Sequence, residues 1–396
     1  MTSTITPASD PPAPLVPREW RLRLDPLLLL ATLGLVACSL QALRGATQND
    51  KLGAPWYYVE RQAVYAVVGL LLMYGVSRLD YSRLRELRYP VYGLMIGLLV
   101  LVAAIAGATR GAHSWIALPG FNLQPSEIGK VLLVIALAGF LVDRMRWMGR
   151  DTTARVMLLG LVPAMIVMAE PDLGSAMVYV VGTLAVLFVA GAPWKHFAAL
   201  GALFAVAIAL TLVAAPAAGV QVLKPYQVDR LTSFLHPSAS PGREGYQQQQ
   251  SKIAIGSGEK TGRGVDHATQ TALNFLPEHH TDFIFAVVGE TYGFAGCAFV
   301  LSLYALLIWR GLHILTMAKN LYGALLAGGI TLMLLFQLFV NIGMNVGIMP
   351  ITGVTAPLLS FGGSSMLATF LALGLLHSIH AQGREMGSKT RATVFQ

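Results

Sequence analysis

The chain has 396 residues, 55% of them hydrophobic and only 12% charged, with a formal net charge of +8. An ordinary soluble domain carries about 25% charged residues, so this composition excludes a string of soluble domains and favours one membrane domain. In a soluble chain the basic excess would suggest nucleic acid. Here the cations lie between long apolar runs, and no nucleic-acid partner is expected.

Residues 1–24 read as a disordered cytoplasmic tail, rich in Pro, Ser, Thr and Ala as far as Pro17. The first apolar run lacks a small-residue cleavage site and reads as a retained span. Runs able to cross about 30 Å of hydrocarbon fall at 25–44, 60–77, 89–108, 124–142, 155–170, 172–191, 195–215, 283–309, 321–346 and 363–382. The fifth and sixth are separated only by Glu170-Pro-Asp172, which predicts a tight hairpin. The expected fold is an all-α polytopic membrane protein of about ten transmembrane helices over 25–382, with a cytoplasmic tail over 383–396. Cys38 and Cys297 lie inside apolar runs and read as small core hydrophobes.

Placing the N-terminus inside puts Arg78, Arg83, Arg85, Arg88, Arg144, Arg146, Arg150, Arg155, Lys195, Arg310, Lys319 and the Arg and Lys of both tails on the cytoplasmic side. The short outside loops and adjoining span ends keep only Arg44, Lys51, Arg61 and Arg110. That bias matches the positive-inside rule and an even number of spans. Residues 216–281, between spans seven and eight, form a long extracytoplasmic loop. It reads as ordered, with a short helix from Glu244 to Ile255 ended by Gly256-Ser-Gly258, and with Phe275 and Leu276 as anchors.

Polar groups near spans are expensive in lipid and therefore mark candidate sites. Tyr57 to Gln62, with Arg61, and Arg110 to Trp115 read either as interfacial anchors or as site residues. Glu127 and Lys130, three apart on one helix face, either neutralise one another or line a hydrated groove. Asp172 reads first as the N-cap of span six. Asp282 stands where the long loop meets span eight, among Glu278, His279, His280 and Glu290; it reads as a cap or as a base. His279 and His280 offer only two ligands for a metal, so the metal question stays unknown. Gly and Pro are dense from Asn341 to Ser365, which predicts broken helix facing protein or a wet cavity.

Five stretches resemble the shape, elongation, division and sporulation (SEDS) family, the RodA/FtsW/SpoVE group. They are Gln124-Pro-Ser-Glu127-Ile-Gly-Lys130, Pro171-Asp-Leu-Gly174, Ile253-Ala-Ile-Gly-Ser-Gly258, Phe275-Leu-Pro-Glu-His-His-Thr-Asp282-Phe-Ile-Phe-Ala286 and Pro357-Leu-Leu-Ser-Phe-Gly-Gly-Ser-Ser365. The resemblance implies a peptidoglycan glycosyltransferase that polymerises lipid II in a bacterial inner membrane, beside a class B penicillin-binding protein that crosslinks the strand. It implies Asp282 as the catalytic residue and cavity roles for Arg61, Arg110, Trp115, Glu127 and Lys130; Ser364, in the last matched stretch, joins the substrate-binding set. The chain departs from the family pattern at Phe361, where Tyr is usual, at Glu259 and Lys260, at His267-Ala-Thr-Gln270 and at Thr291. Met349-Pro-Ile-Thr-Gly353 looks more like the elongation branch than the division branch.

The expected chemistry is attack of a sugar 4-hydroxyl on the donor's anomeric carbon, with Asp282 taking the hydroxyl proton. Cations must meet the departing diphosphate. Arg61, Arg110, Lys252 and Arg263 are the candidates, or a divalent metal such as Mg or Mn. Rival readings are a flippase for the same lipid-linked precursor, a division-type polymerase, and a scaffold that only anchors its partner.

Overall fold

The computed structural model describes residues 24–47, 56–108, 115–118, 121–145, 148–170, 172–211, 243–272 and 275–394. The tail up to residue 23, Arg110 and most of the first half of the long loop lie outside the described residues. The helices are α1 (Pro26–Ala46), α2 (Tyr57–Ser77), α3 (Arg88–Ala108), α4 (Pro125–Val142), α5 (Arg150–Ala169), α6 (Leu173–Val189), α7 (Trp194–Ala209), α8 (Arg243–Ser257), α9 (Thr269–Ala272), α10 (Ile284–Met317), α11 (Leu321–Val346) and α12 (Gly363–Val394). Each expected span falls on one of these helices. Eight are long and apolar enough to cross a membrane, and α6 and α7 are shorter apolar helices. The chain is a multi-pass membrane protein. Helix α12 continues through the stretch read as a C-terminal tail.

Local chemistry sets the helix starts. Asp25 caps α1, accepting from the amides of Leu27 and Leu28 at 3.0 and 2.9 Å, with Pro26 in the first turn. Asn320 caps α11 through the Gly323 amide at 2.8 Å. Helices α4, α11 and α12 form the interior of the bundle and are buried along most of their length, whereas α2 and α3 present most of their surface outward. No residue of α7 is fully buried, and it meets the core through partly buried Phe197 and Leu200.

Three features depart from the sequence expectation. Ile116–Leu118 and Phe121–Leu123 form a short antiparallel pair, Ile116 opposite Leu123 and Leu118 opposite Phe121, just before α4 in a chain expected to be all-α. Span eight is not one straight helix. Gly293, at φ 65° and ψ −160°, breaks α10, a conformation that glycine adopts without a Cβ clash. The break releases four main-chain groups, and the long loop takes them up. Arg263 N donates to Glu290 O at 2.9 Å and Gly264 N to Thr291 O at 3.0 Å; Phe294 N donates to Glu259 O at 2.9 Å and Ala295 N to Lys260 O at 3.1 Å. The stretch from Phe294 to Met317 rises about 36 Å at 1.5 Å per residue, enough to cross the hydrocarbon alone. Finally, α10 begins at Ile284, after a turn, so Asp282 lies ahead of the helix and the N-cap position is Phe283.

The described part of the long loop is packed, as expected from its anchors. Helix α8 runs from Arg243 to Ser257. Ala254, Leu276, Phe283 and Ala286 close into a small apolar cluster between this loop and the first turn of α10. Buried Glu290 accepts from the amides of Gln270 and Thr271 at 2.8 and 3.1 Å and from the Thr271 hydroxyl at 2.6 Å, which ties α9 to α10.

Candidate active site

A chain that crosses repeatedly brings every second helix N-terminus to the same end of the bundle. At that end lies a cavity of about 630 Å³. Its wall takes Tyr57, Tyr58 and Arg61 from the start of α2, Gln124 and Glu127 from α4, and Asp172 from α6. It also takes Asp282 from the turn before α10 and Gly363 to Ser365 from α12. The positive ends of several helix dipoles therefore converge on one space.

Asp282 is held through its main chain. Asn341 and Asn345, both fully buried on α11, each donate a side-chain amide N–H to its carbonyl oxygen at 3.0 Å. Asn345 also accepts from the Ala286 amide at 3.0 Å, and Asn341 donates to Val354 O at 2.8 Å. Asp282 lines the cavity.

Glu127 and Lys130 form the expected pair, Nζ to Oε1 at 2.7 Å, with both residues buried. Glu127 reaches the cavity wall and Lys130 stands behind it. Asp172 is the expected cap, accepting from Ser175 N at 2.9 Å. Its other oxygen faces the cavity and accepts from Gln124 Nε2 at 3.2 Å. Gly174 lets this first turn lie against the Thr352 carbonyl, which a Cβ would meet at 2.4 Å. Burial pushes the Asp172 carboxyl above its ordinary value, with the Glu127 charge adding to the rise. Glu170, in the same connection between α5 and α6, is pushed up to about 7 by burial and by the charge of Asp172.

Arg61 lies over the Tyr57 ring, 4.5 Å from its centroid. Trp115 and Ser364 also line the cavity. Phe361, where the family pattern has Tyr, packs its ring against Tyr58 at 5.0 Å, and its amide donates to His280 O at 2.9 Å. Lys252 and Arg263 are not among the lining residues. Lys252 lies against Gly347, and Arg263 donates from Nε to Ser257 O at 3.0 Å. Among the described residues no three His, Cys, Asp or Glu side chains converge as metal ligands. Gln124, Glu170 and Asp172 belong to the wall although sequence reasoning left them out of the site. Asp172 stands at a helix start, where a cap explained it. The signal available was their spacing, since the two carboxylates of Glu170-Pro-Asp172 sit between two apolar runs.

The family profile of FtsW, RodA and SpoVE, described as cell cycle protein, matches residues 22–385. The chain belongs to this family. Among its relatives, the peptidoglycan glycosyltransferase MrdB of Escherichia coli K12 is 37% identical over 371 residues, 93% of this chain and 96% of the relative. Similar solved structures include a chain of a peptidoglycan synthase complex that coordinates polymerization and crosslinking, with TM-score 0.77, 34% identity, and 91% and 99% of the two chains covered. The rod shape determining protein RodA of Thermus thermophilus matches with TM-score 0.65, 30% identity and 91% and 97% coverage. The FtsW/RodA/SpoVE match spans the cavity-lining residues from Tyr57 to Ser365.

Proposed function

We propose that the cavity is where this peptidoglycan glycosyltransferase joins lipid II units, with Asp282 as general base. The single observation that carries the assignment is the Asp282 carboxylate in the cavity wall, its main chain pinned by Asn341 and Asn345. Pinning the main chain holds the base of this side chain at the cavity wall, where its carboxylate can meet an incoming hydroxyl. The acceptor 4-hydroxyl oxygen forms a bond to the donor's anomeric carbon. The bond from that carbon to the diphosphate oxygen breaks, and the hydroxyl proton passes to Asp282. The transition state resembles an oxocarbenium ion, by analogy with glycoside hydrolysis.

Charge grows on the departing diphosphate. Arg61 and the converging helix N-termini are placed to meet it. The described wall also carries Glu127, Glu170, Asp172, Glu278 and Asp282, so its balance is acidic. This balance favours a diphosphate that arrives already neutralised by a divalent cation, as part of the substrate. The cavity volume lies within the range of about 300–1,000 Å³ usual for small-molecule sites, which suits sugar and diphosphate; the polyprenyl and peptide parts would extend beyond it.

Sidedness follows from the cations. Arg83, Arg85, Arg88, Arg144, Arg150 and Lys195 lie in the connections at the end opposite the cavity, where Arg85 and Arg88 pair with Asp143. The positive-inside rule then makes the cavity extracytoplasmic and both termini cytoplasmic, in a bacterial inner membrane. The partner is a class B penicillin-binding protein, a reading supported by the synthase complex that the fold matches. The elongation branch is read from Met349-Pro-Ile-Thr-Gly353.

Purified full-length protein given labelled lipid II in detergent, with Mg or Mn and then with chelator, tests the reading. Wild type should make glycan strands. Asp282→Ala and Asp282→Asn should make none while keeping the wild-type melting temperature. Polymer from Asp282→Asn at the wild-type rate rejects the base assignment, and no polymer from any form points to a flippase.

A further inference from the structure

Gln124 holds the N-cap position of α4, yet its side chain makes no capping hydrogen bond. It reaches along the cavity wall instead. Its Oε1 accepts from the Trp115 indole Nε1–H at 3.0 Å, and its Nε2 donates to Asp172 Oδ2 at 3.2 Å. The main-chain N–H of Gln124 donates to Ser364 Oγ at 2.8 Å, and Ser364 Oγ donates to Asn122 O at 2.8 Å. One residue thus joins the Trp115 segment, the start of α6 and the start of α12.

An amide fits between these partners. Indole nitrogen is a donor without acceptor capacity, and an ionised carboxylate is an acceptor without a donor. A bridging group must accept at one end and donate at the other. The chemistry fixes the orientation of the amide, oxygen toward Trp115 and nitrogen toward Asp172. Glutamate would set a second carboxylate beside Asp172, and an apolar residue would release both partners.

Trp115 is 52% exposed and lines the cavity. Its ring leans into open space, and its one polar atom is tied down by Gln124. A ring held at a set angle in a polar cavity suits the C–H face of a pyranose, which is apolar and flat enough to lie on an indole. We propose that Gln124 is a positioning residue that sets the Trp115 ring as the platform for a substrate sugar and couples that platform to Asp172 at the start of α6. The proposal rests on the polymerase reading above and adds a sugar subsite to it.

The test is a double-mutant cycle on full-length protein, measuring initial rates of glycan formation over a range of lipid II concentrations. Gln124→Met keeps the length of the side chain and loses both hydrogen bonds. Trp115→Phe keeps an aromatic face and loses the indole N–H. Each should lower kcat/KM about tenfold, chiefly by raising KM. The double variant should be no worse than the poorer single one within about twofold, because the second change removes nothing further. A purely structural role would instead lower the active fraction, reducing kcat with KM unchanged, and that result overturns the proposal. So does an additive loss of about a hundredfold in the double variant, or a wild-type KM for Gln124→Met. If Gln124→Met fails to fold, Trp115→Phe alone decides, and an unchanged KM overturns the proposal. Asp282→Asn is assayed beside them. Its turnover at the wild-type rate would sink the base assignment, whereas the Gln124 and Trp115 coupling is read from ratios among variants that keep Asp282.

Discussion

Asn345 donates its side-chain amide to the main-chain carbonyl of Asp282 at 3.0 Å while accepting from the Ala286 amide at 3.0 Å. The fully buried side chain therefore fixes both the residue that carries the carboxylate and the first turn of the helix behind it. Asn345→Asp keeps the shape and turns a donor toward Asp282 into an acceptor facing a carbonyl. It should lower kcat at least tenfold and cost about 1–3 kcal/mol of stability. Asn345→Leu should match it in stability loss. Wild-type kcat in folded Asn345→Asp would show that the clamp does not control the carboxylate.

The Glu127–Lys130 pair separates a structural role from a cavity role. Lys130→Met alone leaves a buried carboxylate without its partner, a change that costs about 3–5 kcal/mol in such pairs. Glu127→Leu combined with Lys130→Met should recover most of the melting temperature. Polymerisation should stay low in the double variant, since Glu127 faces the cavity. Full activity in that variant would assign the pair to structure alone.

Glu170 gives the fold a pH dependence. Its carboxyl binds a proton more tightly in the folded chain, at about 7 against an ordinary 4.5. The folded state is therefore favoured at low pH, and stability falls as pH rises from about 4.5 through 7. Glu170→Gln should remove this fall, which is worth on the order of 2–3 kcal/mol. Melting temperatures at pH 5.5 and 8.0 check it, and an equal slope in variant and wild type would refute it.

Gly262 and Gly293 meet at the break in α10. A Cβ on Gly262, at φ 84°, would come within 2.2 Å of Thr291 O, and one on Gly293 within 2.3 Å of Gly262 N. Alanine at either position should detach the loop from the helix. Limited proteolysis should then cut near residues 258–264 faster than in wild type, with activity reduced in parallel.

Much of this was legible in the sequence. Hydropathy placed the spans because hydrocarbon demands length and apolarity over any other property. The spacing of Glu127 and Lys130 foretold their pair, Asp172 its cap, and Gly256-Ser-Gly258 the end of α8. What stayed hidden depends on distant partners. Hydropathy is unchanged across Gly293, so only the main-chain groups of residues 259–264 reveal the break. The Ile116–Leu123 hairpin is too short for a periodic pattern. Lys252 and Arg263 looked like phosphate ligands by charge alone, and charge says nothing about direction.

The interruption at Gly293 makes the loop and the helix mutually dependent. With residues 259–264 gone, the carbonyls of Glu290 and Thr291 and the amides of Phe294 and Ala295 would lose their hydrogen bonds. With the glycine replaced and the helix run straight, the loop would have nowhere to attach. Natural variation should therefore delete both or keep both, and a shortened loop should be accompanied at position 293 by a residue able to continue a helix.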